Sequence, residues 1–260
     1  MTPKISIITV NYNNLEGLKK TVESVTKQTY QEFEYVIIDG GSNDGSEDYI
    51  HENSNLFDYW VSEPDKGVYH AMNKGIEQAS GEYLLFLNSG DHFFNKKVLK
   101  KNIEQVDNYD LVYFNQQVIG KTKTFLKEYP DELSFAYFLK DNLPHQATFI
   151  NKKLFKTVGL FKEDFKIVAD WKFFIDSVCK YNVSYKHVDK TLIMFYQDGI
   201  SAQAENNKVI YDEKQAVLQA SYLPFMHDLD DVLKYKTIIN NLRRSKKIKW
   251  LIKLGLINKF

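Results

Sequence analysis

The sequence predicts an α/β fold: a mostly parallel central sheet flanked by helices, with a helical C-terminal extension. Three observations lead there. Short apolar runs alternate with segments of helical period through about the first 90 residues, the β-α-β-α-β-α-β order of a parallel sheet with right-handed crossovers. Asp39, Asp65 and Asp91 each follow an apolar run, at equal steps of 26 residues, which is room for one strand, one helix and two short loops. From about residue 206 the pattern is helical to the end.

Ile5–Val10 is a short, nearly continuous apolar run, as in a strand covered on both faces. Asn11–Asn14 interrupts it, and Leu15, Leu18, Val22 and Val25 then recur at helical spacing. Phe33–Asp39 is the second strand. The turn cluster Gly40–Gly45 follows, then a short helix through Ile50 with Ser46 as candidate N-cap. Tyr59–Ser62 is the third strand. Lys66-Gly67 opens a helix carrying Val68, Met72 and Ile76 on one face, Ser80-Gly81 ends it, and Glu82–Leu87 is the fourth and most apolar strand. Beyond it the spacing predicts a helix near Val98–Val106, a strand at Leu111–Val118, a hairpin over Gly120–Tyr129 and a helix over Pro130–Leu139. A strand at Gln146–Ile150, a helix at Asp170–Lys180 and a last strand at Leu192–Tyr196 complete the domain. The expected organisation is a domain over 1–205, with a nucleotide-binding half at 1–95 and an acceptor half at 96–205, and a helical extension over 206–260.

The chain has 260 residues, 43% hydrophobic and 26% charged, a composition that excludes overall disorder. Lys+Arg 34 equals Asp+Glu 34, so net charge selects no partner, but its distribution does. From residue 232 onward there is no Asp or Glu, while nine Lys and Arg remain. Between Lys234 and Phe260, Ile238, Ile239, Leu242, Ile248, Leu251, Ile252 and Leu256 form an apolar face, with Trp250 and Phe260 as bulky anchors. This is the composition of an interfacial helix on anionic lipid, or of a helix docked on the domain with a solvated basic face. Nothing else in the chain favours nucleic acid. The single cysteine, Cys179, excludes an intrachain disulfide and a cysteine-built metal site, and its apolar helical surroundings predict a packed core position. With no signal-peptide pattern and no run of ~18 uncharged apolar residues, a cytoplasmic protein is expected, peripheral on the inner membrane face through its tail.

The chemistry is sought at the carboxyl ends of the strands, where an open parallel sheet binds its ligands. No glycine-rich dinucleotide turn and no phosphate-binding P-loop follows the first strand. A bound phosphate would then be neutralised by a metal and by side-chain cations rather than by backbone amides. Asp39 could accept from a nucleobase N–H or a ribose hydroxyl, or serve as an Asx-turn residue. Asp65, with Lys66, could hold a base or sugar beside a phosphate, or act as a helix N-cap. Asp91 leaves the most apolar strand in the polar cluster Asn88-Ser89-Gly90-Asp91-His92 and is the metal candidate, for Mg²⁺ or Mn²⁺. Asp170 is either an N-cap or a general base for an incoming hydroxyl. His92, His145 and Trp171 are candidate acceptor contacts, as is the loop Gln197-Asp198-Gly199-Ile200-Ser201 for acceptor or diphosphate.

The segments ISIITVNYNN, VIIDGGSNDGS and SEPDKGVYHAMNKGIEQASGEYLLFLNSGD resemble the family 2 inverting glycosyltransferases of the Rossmann-like GT-A fold, above all bacterial members that build capsule, O-antigen and exopolysaccharide units. HQATFINKKLFKTVGLFKEDFKIVADWKFF resembles their acceptor half, and the likeness spans roughly residues 4–200. It implies a nucleotide-diphosphate sugar donor, favouring uridine, a Mg²⁺ or Mn²⁺ ion, single displacement at the anomeric carbon, and a saccharide or polyprenyl-diphosphate-linked acceptor. Carried over, Val10 and Asn11 would edge the nucleoside pocket, Asp39 would bind the base, and Asp65 and Lys66 would hold base and diphosphate. Asn88 and Ser89 would line the donor site, Asp91 would take the second acidic place of the metal motif, and Asp170 would be the catalytic base. The chain departs from the pattern twice. Asn88-Ser89-Gly90-Asp91 offers one carboxylate where the family often has two, and Ala169 stands where a Glu often precedes the base. A nucleotidyltransferase, or a sugar-nucleotide-binding scaffold that has lost catalysis, are the alternative readings.

Overall fold

The computed structural model describes residues 4–120, 122–196, 199 and 203–258. All but Gly199 of the 197–201 loop, and Phe260 of the tail, therefore lie outside the described residues. The chain divides into two compact units, Met1–Ile210 and Tyr211–Phe260.

In the first unit, β1 (Ile5–Asn11) is buried along its whole length. It pairs in parallel with β2 (Phe33–Asp39) on one side and β4 (Tyr83–Phe86) on the other, and β2 pairs in parallel with β3 (Tyr59–Ser62). The crossovers are α1 (Leu15–Thr26), α2 (Ser46–Glu52) and α3 (Val68–Gln78). Leu18, Val22 and Val25 of α1 share a core with Ile5, Ile7, Leu85 and Leu87. The continuous apolar strands thus bury both faces of the sheet, as parallel sheets require. The register sets Asn11 beside Asp39 and Asp39 beside Ser62, and the Ser89 N–H continues the β4 side by donating to the Val10 carbonyl. Equal spacing in sequence therefore becomes alignment of the strand ends in space.

The second half is mixed. Among the described residues the sheet has nine strands in the order β3-β2-β1-β4-β8-β6-β9-β5, with β7 also on β6. Here β5 is His92–Phe93, β6 Leu111–Ile119, β7 Thr124–Lys127, β8 Thr148–Asn151 and β9 Tyr185–Tyr196. The stretch expected as a hairpin over 120–129 supplies one strand, β7, which pairs back on β6. β9 is longer than the pattern Leu192–Tyr196 indicated. The polar residues Asp189 and Lys190 fall at an irregularity where Phe114 pairs with Val188 and Asn115 with Thr191, and Asn115 donates to Asp189 at 2.8 Å. The local polar bond hid a strand from the alternation rule.

Helices shorten where turn chemistry competes. α4 covers Val98–Asn102 before a 3₁₀ turn to Gln105, and α5 is only Phe135–Phe138, started by a Ser134 cap four residues past Pro130. α6 is Leu154–Thr157. α7 runs Ala169–Ile175 and continues as a π-helical turn, Asp176–Lys180. Two expected caps are corrected. Gly45, left-handed at φ 93°, caps α2, so that Ser46 is its first residue, and Val168 rather than Asp170 caps α7. Cys179 is half-buried rather than in the core.

The second unit contains α9 (Leu223–Arg244) and α10 (Lys246–Lys253), preceded by α8 (Asn207–Ser221), which begins in the first unit. No helix among the described residues is long and apolar enough to cross a membrane. Val232, Tyr235, Ile238, Ile239, Leu242, Trp250 and Leu254 are exposed.

Candidate active site

A cavity of about 340 Å³ opens at the carboxyl ends of β1 and β4. Val10, Asn11, Asn88, Ser89, Asp91, His145 and Asp170 all line it. Chain topology brings these residues together from the end of β1, the turn after β4, the segment before β8 and the start of α7.

The turn Asn88–Asp91 is pinned from beneath by Thr21 of α1. Its hydroxyl donates to the Asp91 carbonyl at 2.7 Å and accepts from the Gly90 N–H at 3.0 Å. Gly90 sits at φ 107°, a region closed to most side chains, which lets the chain reverse directly off a buried strand. Asn14 braces the same turn, its Nδ2 donating to the Ser89 carbonyl at 3.1 Å while its Oδ1 caps α1. Asn88 Oδ1 and Ser89 Oγ are buried with no hydrogen-bond partner in the protein. Asn88, Ser89 and Asp91 all line the cavity, and oxygen atoms of these types are the donors a hard divalent cation prefers, with water and phosphate oxygens completing its shell. Among the described residues no group of three His, Cys, Asp or Glu side chains gathers as a metal centre, so Asp91 is the one acidic contribution from this turn.

Asp170, which lines the same cavity, is buried, its side chain 11% exposed. Its Oδ2 accepts from Asn142 Nδ2 at 3.0 Å and from His145 Nδ1 at 3.0 Å, which fills the two lone-pair sites of that oxygen. Its Oδ1 accepts from the Trp171 N–H at 2.8 Å, with the Tyr69 hydroxyl at 3.1 Å. The Ile167 carbonyl competes for the single Tyr69 proton. When the phenol turns to Ile167, Oδ1 keeps one site for a ligand. Burial alone would raise the Asp170 pKa, but the His145 hydrogen bond and charge and the Trp171 and Tyr69 bonds outweigh it and hold the carboxyl below its ordinary value. For His145, burial works downward, and the hydrogen bond and charge of Asp170, with the more distant Asp91, raise its pKa overall. Burial, then the Asp170 charge, keeps the Tyr69 phenol protonated as a donor.

Five expected site residues lie off the cavity wall. Asp39 is completely buried: it accepts from Asn11 Nδ2 at 2.7 Å, from the Ser42 N–H and hydroxyl at 2.9 and 2.6 Å, and from Ser62 Oγ at 2.7 Å. It is an Asx-turn hub that sets the Asn11 side chain. Asp65 accepts from the Gly67 N–H at 2.7 Å, and its carboxylate lies so close to Gly40 that a Cβ there would come within 2.5 Å. Asp65 thus neighbours the end of β2, and Lys66 follows it outside the lining. The three strand-end acids share one edge of the sheet, and Asp91 alone of them opens into the cavity. His92 lies in a side groove with Lys20, Lys27 and Lys96, its ring 5.5 Å from Tyr196, and burial lowers its pKa. Trp171 is 1% exposed, with its indole N–H donating to the Phe138 carbonyl at 2.7 Å, so it backs Asp170 and cannot face an acceptor from there. Sequence reasoning missed Tyr69, Asn142 and Lys166. Tyr69 sits beside the Val68–Met72 apolar face, and its value as a donor to Asp170 depends on a contact 101 residues away.

The sequence profile of Glycosyl transferase family 2 matches residues 6–187. An uncharacterized glycosyltransferase of Mycobacterium tuberculosis is 37% identical over 181 residues, 66% of this chain and 68% of the relative. The PGL/p-HBAD biosynthesis glycosyltransferase of Mycobacterium bovis is 33% identical over 181 residues, with the same coverage. Among solved structures, S. aureus TarS 1-349 in complex with UDP-GlcNAc superposes with a TM-score of 0.61 at 20% identity, covering 74% of this chain and 58% of that one. The mannosyltransferase PcManGT from Pyrobaculum calidifontis, in complex with GDP-Man and Mn²⁺, gives 0.58 at 13%, covering 75% and 57%. This chain thus spans less than two thirds of those solved chains, and the likeness gives the GT-A architecture: a curled mixed sheet flanked by helices. With a profile match over most of its first unit and two relatives above 30% identity, the chain belongs to glycosyl transferase family 2.

Proposed function

We propose that the protein is a metal-assisted inverting glycosyltransferase that moves a sugar from a nucleotide-diphosphate donor, read as a uridine donor, to a saccharide or lipid-linked saccharide acceptor in surface polysaccharide synthesis. The observation that carries this is that one cavity is lined both by the turn ending in Asp91 and by a buried carboxylate, Asp170. The nucleotide sugars in the structural relatives support the donor class.

In this reading residues 1–95 hold the donor and 96–205 the acceptor. Asn11, positioned by Asp39, and Val10 edge the nucleoside, while Asp65 and Lys66 border the base and diphosphate from the next strand end. Asp91, with Asn88 Oδ1 and Ser89 Oγ, would hold a divalent ion, which when bound neutralises charge developing on the leaving diphosphate. Lys166, which also lines the cavity, adds a cation to the site. An acceptor hydroxyl is too weak a nucleophile unaided. Asp170 Oδ1 takes its proton as the new bond forms, while Asn142 and His145 hold Oδ2. Inversion requires base and leaving-group charge on opposite sides of the sugar, the places this reading gives to Asp170 and Asp91.

The test is kinetic. With a nucleotide sugar that the wild type turns over in Mn²⁺, Asp170→Asn should lower kcat by about 10²–10⁴-fold while donor affinity stays within about threefold. Asp91→Ala should abolish the metal response. An Asp170→Asn enzyme at wild-type rate removes that residue from the mechanism.

A further inference from the structure

His145 donates to Asp170 and also reaches the turn after β4. Its Nδ1 is 3.0 Å from Asp170 Oδ2, and its Nε2 is 3.4 Å from Asn88 Nδ2 on the turn that carries Ser89 and Asp91. The side chain is 22% exposed and the ring lines the cavity. With Nδ1–H donating to Asp170, Nε2 carries the lone pair that accepts from Asn88 Nδ2, and Asn88 Oδ1 is left buried without a partner in the protein.

We propose that His145 is a positioning residue with two separable hands: Nδ1 fixes the Asp170 carboxylate so that Oδ1 faces the acceptor, and Nε2 fixes Asn88 and with it the turn against which the donor diphosphate rests. The proposal rests on the donor and base assignments above. One ring thus braces both sides of the reaction: its Nε2 contact supports donor binding, and its Nδ1 contact sets the orientation of the base, on which the displacement rate depends steeply.

The two hands can be removed one at a time. An Asn amide nitrogen lies as many bonds from Cα as His Nδ1, and a Gln amide nitrogen as many as Nε2. His145→Asn should keep the bond to Asp170 and lose Asn88, whereas His145→Gln should keep Asn88 and lose Asp170. Initial rates and calorimetric UDP affinity with Mn²⁺ are measured for the full chain, the wild type and both variants. For His145→Asn, kcat should stay within about threefold and the UDP Kd should rise about tenfold. For His145→Gln, the Kd should hold and kcat should fall about 100-fold. Adding Asn88→Ala to His145→Asn should cost little further affinity, because that link is already gone.

Equal effects of Asn and Gln on both parameters, or additive losses in the double variant, would overturn the proposal and leave His145 a packing residue. Melting curves accompany each variant. If His145→Gln fails to fold, Asn88→Ala against His145→Asn still decides the Nε2 hand, and His145→Ala against His145→Asn decides the Nδ1 hand: kcat of the Ala variant should be about 100-fold lower, and equal kcat values overturn it. A wild type that binds no nucleoside diphosphate sinks the proposed function itself, an outcome distinct from a competent wild type whose variants behave alike.

Discussion

Asp170 shows how one carboxylate can be both buried and charged. Desolvation opposes its ionisation, and the His145 hydrogen bond and charge, with bonds from the Trp171 N–H and the Tyr69 hydroxyl, reverse the balance. The pair has a pH signature in stability. His145 has a raised pKa in the folded protein, so its contribution is complete below 6.5 and disappears as pH rises through the raised value. Asp170 has a lowered pKa, so its contribution is present above 3.8 and disappears as pH falls through the lowered value. Both operate in weak acid. The melting temperature of the wild type should therefore exceed that of His145→Asn by more at pH 5.5 than at pH 9, followed by circular dichroism. A gap independent of pH would show that the ring is neutral throughout. At this scale the sequence was partly legible. Asp91 and Asp170 announce themselves, because a polar residue at the end of a buried strand or entering an apolar helix needs a reason. Asp39 announced itself equally, and its four hydrogen bonds show that the reason can be structural support for a neighbour, Asn11.

The elements of the first half followed from periodicity because β1 and β4 are buried on both faces, β2 is buried over most of its length, and the crossover helices α1 and α3 have one apolar face. Gly81 shows how tightly they close. A Cβ there would come within 2.6 Å of the Ser6 backbone nitrogen and 2.7 Å of the Ile5 carbonyl carbon, and backbone in a central strand has nowhere to go. Gly81→Ala should destabilise the protein by about 1–3 kcal/mol, read from urea unfolding. An unchanged midpoint would mean that the entry to β4 is looser than described. The second half was less legible for a definable cause. Its strands pair in both senses, β9 passes an irregularity filled by Asp189, and α4, α5 and α7 run into 3₁₀, turn or π geometry. Each is settled by side-chain to backbone bonds or long-range register that no local period reports. The segment that delivers Asn142 and His145 belongs to this half, which is why His145 read as a loose acceptor contact rather than a partner of Asp170.

For the whole molecule, charge is balanced overall and unbalanced locally: nine Lys and Arg and no acids from residue 232 onward. We propose that this tail, with Trp250 and Leu254 exposed beside its lysines, docks on anionic lipid and so concentrates the enzyme where lipid-linked acceptors reside. The full chain should co-sediment with phosphatidylglycerol vesicles and release at high salt, and removal of residues 234–260 should abolish sedimentation; undiminished binding would exonerate the tail. The proposed reaction depends on one arrangement in the first unit, the turn Asn88–Asp91 and Asp170 lining one cavity. Its most direct test is a crystal structure of the protein with a nucleoside diphosphate and Mn²⁺. The diphosphate is expected against Asn88, Ser89 and Asp91, with its sugar-bearing end turned toward Asp170 Oδ1. A nucleotide bound elsewhere, or one whose diphosphate points away from Asp170, would contradict the assignment.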